Sequence, residues 1–197
     1  IDADVSIISN ISLDHQDWLG SDLESIGAEK AGIIRAGTPI LYGDESPLEN
    51  VLQEAARLGA PMYRIGVDCQ GTLQADGTSW TFSGRDTNGQ PLLASDLPLP
   101  GIVLSNAVLA LQALALLQPA WDAAAIHTAL KGLTLAGRFE HGTDRETGRN
   151  VVFDVAHNPA ATGLLARKLQ QWRTANPGIG QIAAVIAVMA DKDIEGM

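Results

Sequence analysis

The first sixty residues alternate apolar runs with helix-start signals, and this alternation limits the fold more than any other feature of the chain. Residues 5–13 and 39–42 are apolar and β-branched, which predicts two buried strands. Capping boxes at residues 21–24 and 46–49 predict a helix after each strand, the first running to about residue 35 and the second starting with Pro47. Because strands joined through helices pair in parallel, the sequence predicts a parallel α/β sheet.

Residues 62–101 have a different pattern, in which short strand candidates alternate with strong turn signals. The dipeptides Asp76-Gly77 and Asn88-Gly89 are typical of hairpin turns. We therefore predict a small antiparallel sheet here, followed by a stiff extended loop and two helices. The expected strands cover residues 62–67, 72–75, 80–83 and 91–94, the loop covers 97–101, and the helices cover 102–117 and 121–131.

The strand–helix pattern restarts after Gly137, which predicts a second domain. Residues 151–155 and 182–189 predict two strands, and Asn158-Pro159 opens a helix between them that runs to about residue 173. This is one βαβ unit, as at the start of a Rossmann-like domain. We place the domains at residues 1–136 and 137–197. The chain begins without Met and ends just after an expected strand, so we expect it to be part of a longer protein.

The composition limits the class of partner and the compartment. The chain has 197 residues, of which 46% are hydrophobic, enough for a folded core. Its formal net charge of −10 argues against a general nucleic-acid or anionic-membrane surface, because such surfaces need clustered Lys and Arg. The longest apolar run is too short to cross a membrane. A single cysteine, Cys69, excludes an internal disulfide, so we expect a cytoplasmic protein.

Four polar residues stand out from the pattern, and each has a structural alternative. His15, beside Asp14 at the end of the first strand, could ligate a divalent cation or help to cap the next helix. Lys30 lies on a helix, where a lysine is usually a solvated surface charge. Asn106 lies on an apolar helix and could contact adenine or be a satisfied core group. Arg138, at the expected hinge, could clamp a phosphate or be a surface arginine.

The run DVAHNP at residues 154–159 is the strongest candidate, because a strand is expected to lead into a helix there. A helix start offers unpaired backbone N–H groups and a positive dipole end, both suited to a nucleotide. Asp154 could bond ribose hydroxyls, and the His157 ring could stack on a base. In the alternative, Asn158 caps the helix and Asp154 is satisfied locally. The sequence has no GxxxxGK[ST] or GxGxxG loop, so these patterns support only a ligand-binding α/β protein.

Several runs occur together in a characteristic order. They are ISNISLDH at residues 8–15, DWLG at 17–20, IGAEKAGI at 26–33, residues 98–107, GRF at 137–139, DVAHNP at 154–159 and MADKD at 189–193. In this order they resemble the bacterial folylpolyglutamate synthase/dihydrofolate synthase family of the Mur ligase superfamily, over nearly the whole chain. The resemblance implies the later part of a central ATP-binding domain, followed by the start of the C-terminal domain.

The resemblance also implies an ATP-dependent ligase. In that family, ATP phosphorylates a carboxylate of dihydropteroate or of a folate, and the amine of L-glutamate then attacks the acyl phosphate to form an amide. The family is expected to be monomeric and to use Mg²⁺. By this resemblance His15 ligates Mg²⁺, Lys30 is carbamylated near the metal, Asn106 and Arg138 contact ATP with Arg138 at its phosphates, and Asp154 and His157 lie at the ribose and base.

The departures from the family pattern lead to further expectations. Ser12 stands where the family commonly has glycine. The family's phosphate-binding loop and one magnesium-binding glutamate lie upstream of the matching region, so we expect this chain alone to have little or no ligase activity. Two alternatives stay open. One is another Mur-superfamily ligase acting on a cell-wall precursor, and the other is a non-catalytic remnant that binds nucleotide weakly.

Overall fold

A computed structural model describes residues 2–12, 22–117, 120–189 and 192–197 of the chain. The chain divides into two compact units, Ile1–Thr134 and Leu135–Met197. Each unit contains paired strands and at least one helix.

The first unit begins with a three-stranded parallel sheet. Its strands β1 (Ser6–Ile8), β2 (Ile40–Tyr42) and β3 (Met62–Arg64) lie in the order β1-β2-β3. Helices α1 (Leu23–Ala31) and α2 (Glu49–Arg57) occur between successive strands. The predicted parallel α/β sheet is therefore confirmed. Our assignment of residues 62–67 to the antiparallel sheet was wrong, because the crossover through α2 brings β3 beside β2 in parallel.

Both helices begin later than their capping boxes predicted. Asp22 caps α1, since its Oδ1 accepts a hydrogen bond of 2.7 Å from the N–H of Ser25; Ser21 lies outside the described residues. The helix ends at Ala31, four residues before the predicted end. Helix α2 begins at Glu49, and its N-cap residue Leu48 offers no side-chain cap; the Leu48 N–H donates to the Tyr42 hydroxyl at 3.3 Å.

A first apolar core lies around the parallel sheet and its two helices. Ile40, Leu41 and Tyr42 are fully buried, so β2 is covered along its whole length, as expected for the central strand of a parallel sheet. Ile26 of α1 and Val51 of α2 are also fully buried. Burial of this many β-branched and aromatic side chains is the main stabilising contribution to this half of the unit.

The predicted antiparallel sheet forms directly after β3. It consists of β4 (Gln70–Leu73), β5 (Ser79–Arg85) and β6 (Pro91–Pro98), in the order β4-β5-β6. Both predicted turns contain glycine at positive φ, Gly77 at 67° and Gly89 at 75°. β6 is longer than predicted and includes two residues that we expected in the stiff loop, because Leu97 pairs with Trp80 and Pro98 with Ser79.

Helices α3 (Leu104–Leu117) and α4 (Ala123–Lys131) complete the first unit. Asp122 caps α4 through two backbone N–H groups, and Gly132 follows its end as predicted. Both helices contribute to a second core with the antiparallel sheet, in which Trp80 and Phe82 are fully buried. No helix in the described part of the chain is both long enough and apolar enough to cross a membrane.

The second unit contains a hairpin and one long helix. Strands β7 (Glu140–Thr143) and β8 (Asn150–Phe153) pair in antiparallel fashion, and α5 spans Pro159–Ala175. β8 and α5 were predicted, whereas β7 was not, because its four residues lack an apolar alternation. The predicted strand at residues 182–189 was wrong. These residues lie outside any strand, and Val185 is 98% exposed, since no described segment pairs with them. The expected βαβ unit is therefore not formed.

Candidate functional site

Lys30 lies in the last turn of α1, where it is half-buried beside the buried Ala31. At the end of the helix, the N–H of Gly32 donates to the carbonyl of Glu29 at 3.1 Å, and the N–H of Ile33 donates to the carbonyl of Lys30 at 3.3 Å. In the described ranges no side chain is paired with the Lys30 ammonium. A cation at this position repels a metal ion, so Lys30 can serve as a ligand only after its charge is removed or reversed. His15, predicted to share that role, lies outside the described residues.

Asn106 lies in the first turn of α3 and is exposed to solvent, whereas Ala107 and Val108 beside it are buried. The alternative that Asn106 is a satisfied core group is therefore wrong. Its exposed amide can donate to and accept from a ligand. Asn106 and Lys30 lie on helices of different cores within the first unit, and no described contact joins them.

Arg138 lies in a tight loop at the start of the second unit, between two residues with left-handed backbone conformation. Gly137 has a φ of 66° and Phe139 a φ of 50°. Glycine adopts positive φ at little cost, but phenylalanine rarely does. The Arg138 side chain is exposed, and within the described part of the chain no acidic group is paired with it. Its five N–H donors are therefore available for an anion.

Asp154 joins this loop to the segment that leads into α5. Its Oδ2 accepts a 2.8 Å hydrogen bond from the N–H of Phe139, and its Oδ1 accepts a 2.9 Å bond from the N–H of Ala156. The side chain is half-buried. This is the local satisfaction that we considered as the structural alternative for Asp154, and the structure confirms it.

His157 and Asn158 occupy the start of α5. The Nδ1 of His157 lies 2.8 Å from the carbonyl oxygen of Val155, which orients the ring. Asn158 caps the helix as predicted, because its Oδ1 accepts a 2.8 Å hydrogen bond from the N–H of Ala161. The other half of that structural alternative is thus also confirmed. The arrangement leaves the His157 ring half-buried at a helix N-terminus.

The second unit thus brings together three of the predicted site residues. Asp154 binds the residue after Arg138, and His157 follows three residues later at the helix start. Sequence reasoning missed Glu140, whose Oε2 accepts a 2.8 Å hydrogen bond from the N–H of Gly137. It also missed the backbone conformation of Phe139. The glycine before Arg138 hinted at a turn, but nothing in the sequence indicates that a phenylalanine adopts positive φ.

The described residues do not form a magnesium site by themselves. They contain no group of three or more His, Cys, Asp or Glu side chains close enough to hold a metal ion. Of the two predicted ligands, only Lys30 is described, and its ammonium is not a metal ligand as it stands.

Comparison with known proteins identifies the relatives of this chain. It is 37% identical over 196 residues to the dihydrofolate synthase/folylpolyglutamate synthase of Escherichia coli, and 33% identical over 222 residues to that of Mycobacterium tuberculosis. The chain is homologous to the bacterial dihydrofolate synthase/folylpolyglutamate synthases. These matches cover the whole chain but only 43% and 42% of the relatives, so the chain spans less than half their length. No family model matches.

Solved structures of bacterial dihydrofolate synthase/folylpolyglutamate synthases have the same fold as this chain over the region that it spans. The E. coli enzyme in complex with DHPP and ADP is 38% identical, with a TM-score of 0.82, and the alignment covers all of this chain and 44% of that enzyme. The Yersinia pestis enzyme complexed with AMPPNP and Mn is 36% identical, with a TM-score of 0.83 and the same coverage. These comparisons confirm the family resemblance and the predicted α/β fold class.

Proposed function

We propose that the protein carrying this sequence is an ATP-dependent ligase that adds L-glutamate to dihydropteroate, to folate γ-carboxylates, or to both. The observation that carries the proposal is the match along the whole chain to enzymes of that name, at 37% identity in sequence and a TM-score of 0.82 in structure. A relative has been solved with Mn, AMPPNP and L-glutamate together, which supports the same three classes of ligand here. The ion in this protein would be Mg²⁺.

The reaction has two steps that balance in atoms and charge. The substrate carboxylate oxygen attacks the γ-phosphorus of ATP, which forms an acyl phosphate and releases ADP. The neutral amine of glutamate then attacks the acyl carbon, the C–O bond to phosphate breaks, and the nitrogen loses one proton, which leaves with the phosphate, so that an amide and inorganic phosphate are formed. Both steps concentrate negative charge on phosphoryl oxygens, so the protein must supply positive charge and N–H donors there.

The residues of the second unit suit the nucleotide side of this reaction. Arg138 is exposed and has a guanidinium that can form paired hydrogen bonds to phosphate oxygens. The ring of His157 can stack on the base. The family resemblance implies that Asp154 lies at the ribose, although both of its oxygens already accept backbone N–H groups in this chain.

The first unit would supply the remaining groups. Asn106 offers an exposed amide to the adenine edge, and Lys30, once carbamylated, would become an anion able to ligate Mg²⁺ together with His15. We assign residues 1–136 to the later part of a central ATP-binding domain and residues 137–197 to the start of the C-terminal domain. We further propose a monomer located in the cytoplasm.

The experiment that tests the function measures phosphate release from ATP by the complete gene product. Dihydropteroate, tetrahydrofolate and a cell-wall precursor are each supplied with L-glutamate, and the 197-residue chain is assayed in parallel. Glutamate-dependent release with a pteroate or folate substrate is the expected result. Release only with the cell-wall precursor would indicate another Mur-superfamily ligase, and nucleotide binding without turnover would indicate a non-catalytic protein. Arg138→Ala should lower turnover by a factor of ten or more.

A further inference from the structure

The loop that carries Arg138 is fixed on both sides by hydrogen bonds to its backbone. On the N-terminal side, Gly137 donates its N–H to Glu140, and its carbonyl accepts a 2.9 Å bond from the N–H of Val155. On the C-terminal side, Phe139 donates its N–H to Asp154. The Arg138 N–H itself donates to the carbonyl of Leu135 at 3.1 Å. Three consecutive residues of an exposed loop are thus held in one conformation.

The Asp154 carboxylate binds Phe139, the residue of these three whose backbone conformation is least favourable. Phe139 has a φ of 50°, a conformation that persists for a bulky residue only where the surroundings impose it. A carboxylate that accepts a backbone N–H forms a charge-assisted hydrogen bond, which is stronger than a bond between neutral groups. Because the other Asp154 oxygen binds Ala156, the same side chain also fixes the segment that leads into α5.

Contacts of the Phe139 ring also connect the loop to its neighbours. The Phe139 ring packs edge-on against His141 of β7, with 5.0 Å between ring centroids, and Lys168 of α5 lies 5.5 Å from the Phe139 centroid. Phe139 therefore connects the loop to both the hairpin and the helix. The Arg138 side chain, in contrast, is exposed. The backbone on both sides of Arg138 is therefore held by hydrogen bonds, whereas its guanidinium extends into solvent.

We propose that Asp154 is a positioning residue that acts through the backbone of Phe139 to aim Arg138 at the phosphates of a bound nucleotide. This role rests on the proposed function, since it assumes that Arg138 binds those phosphates. It differs from a direct ribose contact, because the carboxylate acts on the loop and not on the sugar. When the hydrogen bond between Asp154 and the Phe139 N–H is lost, Arg138 is still present but its side chain can adopt other directions. The affinity of the protein for the nucleotide phosphates therefore falls.

The test is a double-mutant cycle on the dissociation constant for ADP, measured by calorimetry on the complete gene product. The variants are Asp154→Asn, Arg138→Ala and the double variant. The change to asparagine keeps the size of the side chain while replacing one accepting oxygen with an NH₂ group. We expect each single change to weaken ADP binding about tenfold, and the double change to cost no more than Arg138→Ala alone. Independent, multiplicative losses would overturn the proposal.

Two further measurements separate positioning from a ribose contact. Asp154→Asn should weaken binding of ADP, 2′-deoxy-ADP and 3′-deoxy-ADP by the same factor, whereas a ribose contact predicts a smaller loss with one deoxynucleotide. Hydrogen exchange at the Phe139 and Ala156 amides should be faster in the variant. The matched control is Asp144→Asn, because Asp144 also accepts a backbone N–H in the same unit, from Glu146, and its loss should leave ADP affinity unchanged within twofold.

A second variant keeps the test valid if Asp154→Asn does not fold. In Gly137→Ala the new Cβ would lie 2.8 Å from Cγ1 of Val155 at a φ of 66°, so the loop is disturbed while Asp154 is intact. It should also lose about tenfold in ADP affinity and show no further loss with Arg138→Ala. Unchanged ADP affinity in this variant would overturn the proposal. If the double-mutant cycle on ADP binding gives the expected non-additive losses but the protein shows no glutamate-dependent turnover, the proposed reaction is contradicted and the positioning role of Asp154 is not.

Discussion

Burial differs sharply between the two compact units. The first unit encloses two apolar cores in which Tyr42, Trp80 and Phe82 have no exposed surface. In the second unit no described residue is fully buried; Phe139 and Trp172 are half-buried, and Phe153 is exposed. Within the second unit, the elements are held together instead by hydrogen bonds to the backbone, by the helix cap of Asn158 and by ring contacts. Because apolar burial is the dominant favourable contribution to folding, the first unit should hold most of the measurable stability.

This difference has a consequence for the candidate site residues. Lys30 and Asn106 each lie on a helix and are followed by buried residues, Ala31 and Ala107. Packing of the helix against its core therefore fixes the position of each side chain. Arg138 lies in a loop whose backbone N–H groups donate to two carboxylates, those of Glu140 and Asp154. Single polar substitutions should therefore disturb the geometry of the second unit more than that of the first.

The largest expected effect concerns the thiol of Cys69, which reports on the first unit alone. Burial raises the pKa of this thiol from about 9 to about 12, and the side chain is 2% exposed. At pH 8 we expect labelling by an aromatic disulfide reagent to be at least about a thousandfold slower than in urea-unfolded chain. The raised pKa also means that stability present below pH 9 is lost as the pH rises towards 12. Complete labelling within seconds in native buffer would show that the second core is open.

Trp80→Ala should have the largest effect on stability among the substitutions. Trp80 is fully buried and donates its indole N–H to the carbonyl of Pro98 at 2.9 Å. The substitution should lower the free energy of unfolding by about 3–5 kcal/mol in urea titrations monitored by Cys69 labelling. Trp172→Ala, the same change at a half-buried site of the second unit, should cost less than about 1 kcal/mol by this probe. Equal losses would mean that the two units unfold together.

The sequence predicted those parts of the fold in which local signals and burial agree. The turns at Gly77 and Gly89, the cap at Asn158 and the parallel pairing of β1 and β2 follow from residue type and spacing. The start of α2 did not follow, because Tyr42, six residues earlier, accepts the Leu48 N–H and the predicted cap is not used. Residues 182–189 have strand-type composition, but a strand also needs a neighbour for its backbone groups.

For the candidate site, the sequence predicted the residues but not what they contact. DVAHNP and Arg138 could be located from the strand–helix pattern and the expected hinge, their roles were implied by the family resemblance, and the cap by Asn158 followed from its position before proline. The bond between Asp154 and Phe139 joins residues fifteen positions apart and depends on the positive φ of Phe139. Neither the spacing nor the residue type indicates such a contact. The conformation of such a polar loop does not follow from residue pattern, because hydrogen bonds rather than periodic burial determine its shape.

Gln112→Leu should have an intermediate effect in the first unit. The buried Gln112 amide accepts from the N–H of Arg85 at 3.0 Å and donates to its carbonyl at 2.7 Å. Arg85 lies opposite Pro91, which has no N–H to donate, so Gln112 supplies partners at the end of the sheet. Loss of both bonds should cost about 1–3 kcal/mol in urea titrations. The control Gln170→Leu, on an exposed face of α5, should change stability by less than about 0.5 kcal/mol.

The smallest expected effect is a gain in the second unit. Gly163 lies inside α5, and an added Cβ would meet only Nη1 of Arg167, at 3.8 Å. Gly163→Ala should therefore stabilise the helix by about 0.5–1 kcal/mol. In the control Gly148→Ala the same methyl group is added in the hairpin at a φ of 68°, where it should destabilise instead. Limited proteolysis of the second unit measures both, because cleavage follows the population of its open form. Because the second unit is expected to have low stability, a change of this size should alter its cleavage rate measurably. The protection of Cys69 in the first unit should stay constant. Loss of Cys69 protection in either variant would mean that the stabilities of the two units are coupled.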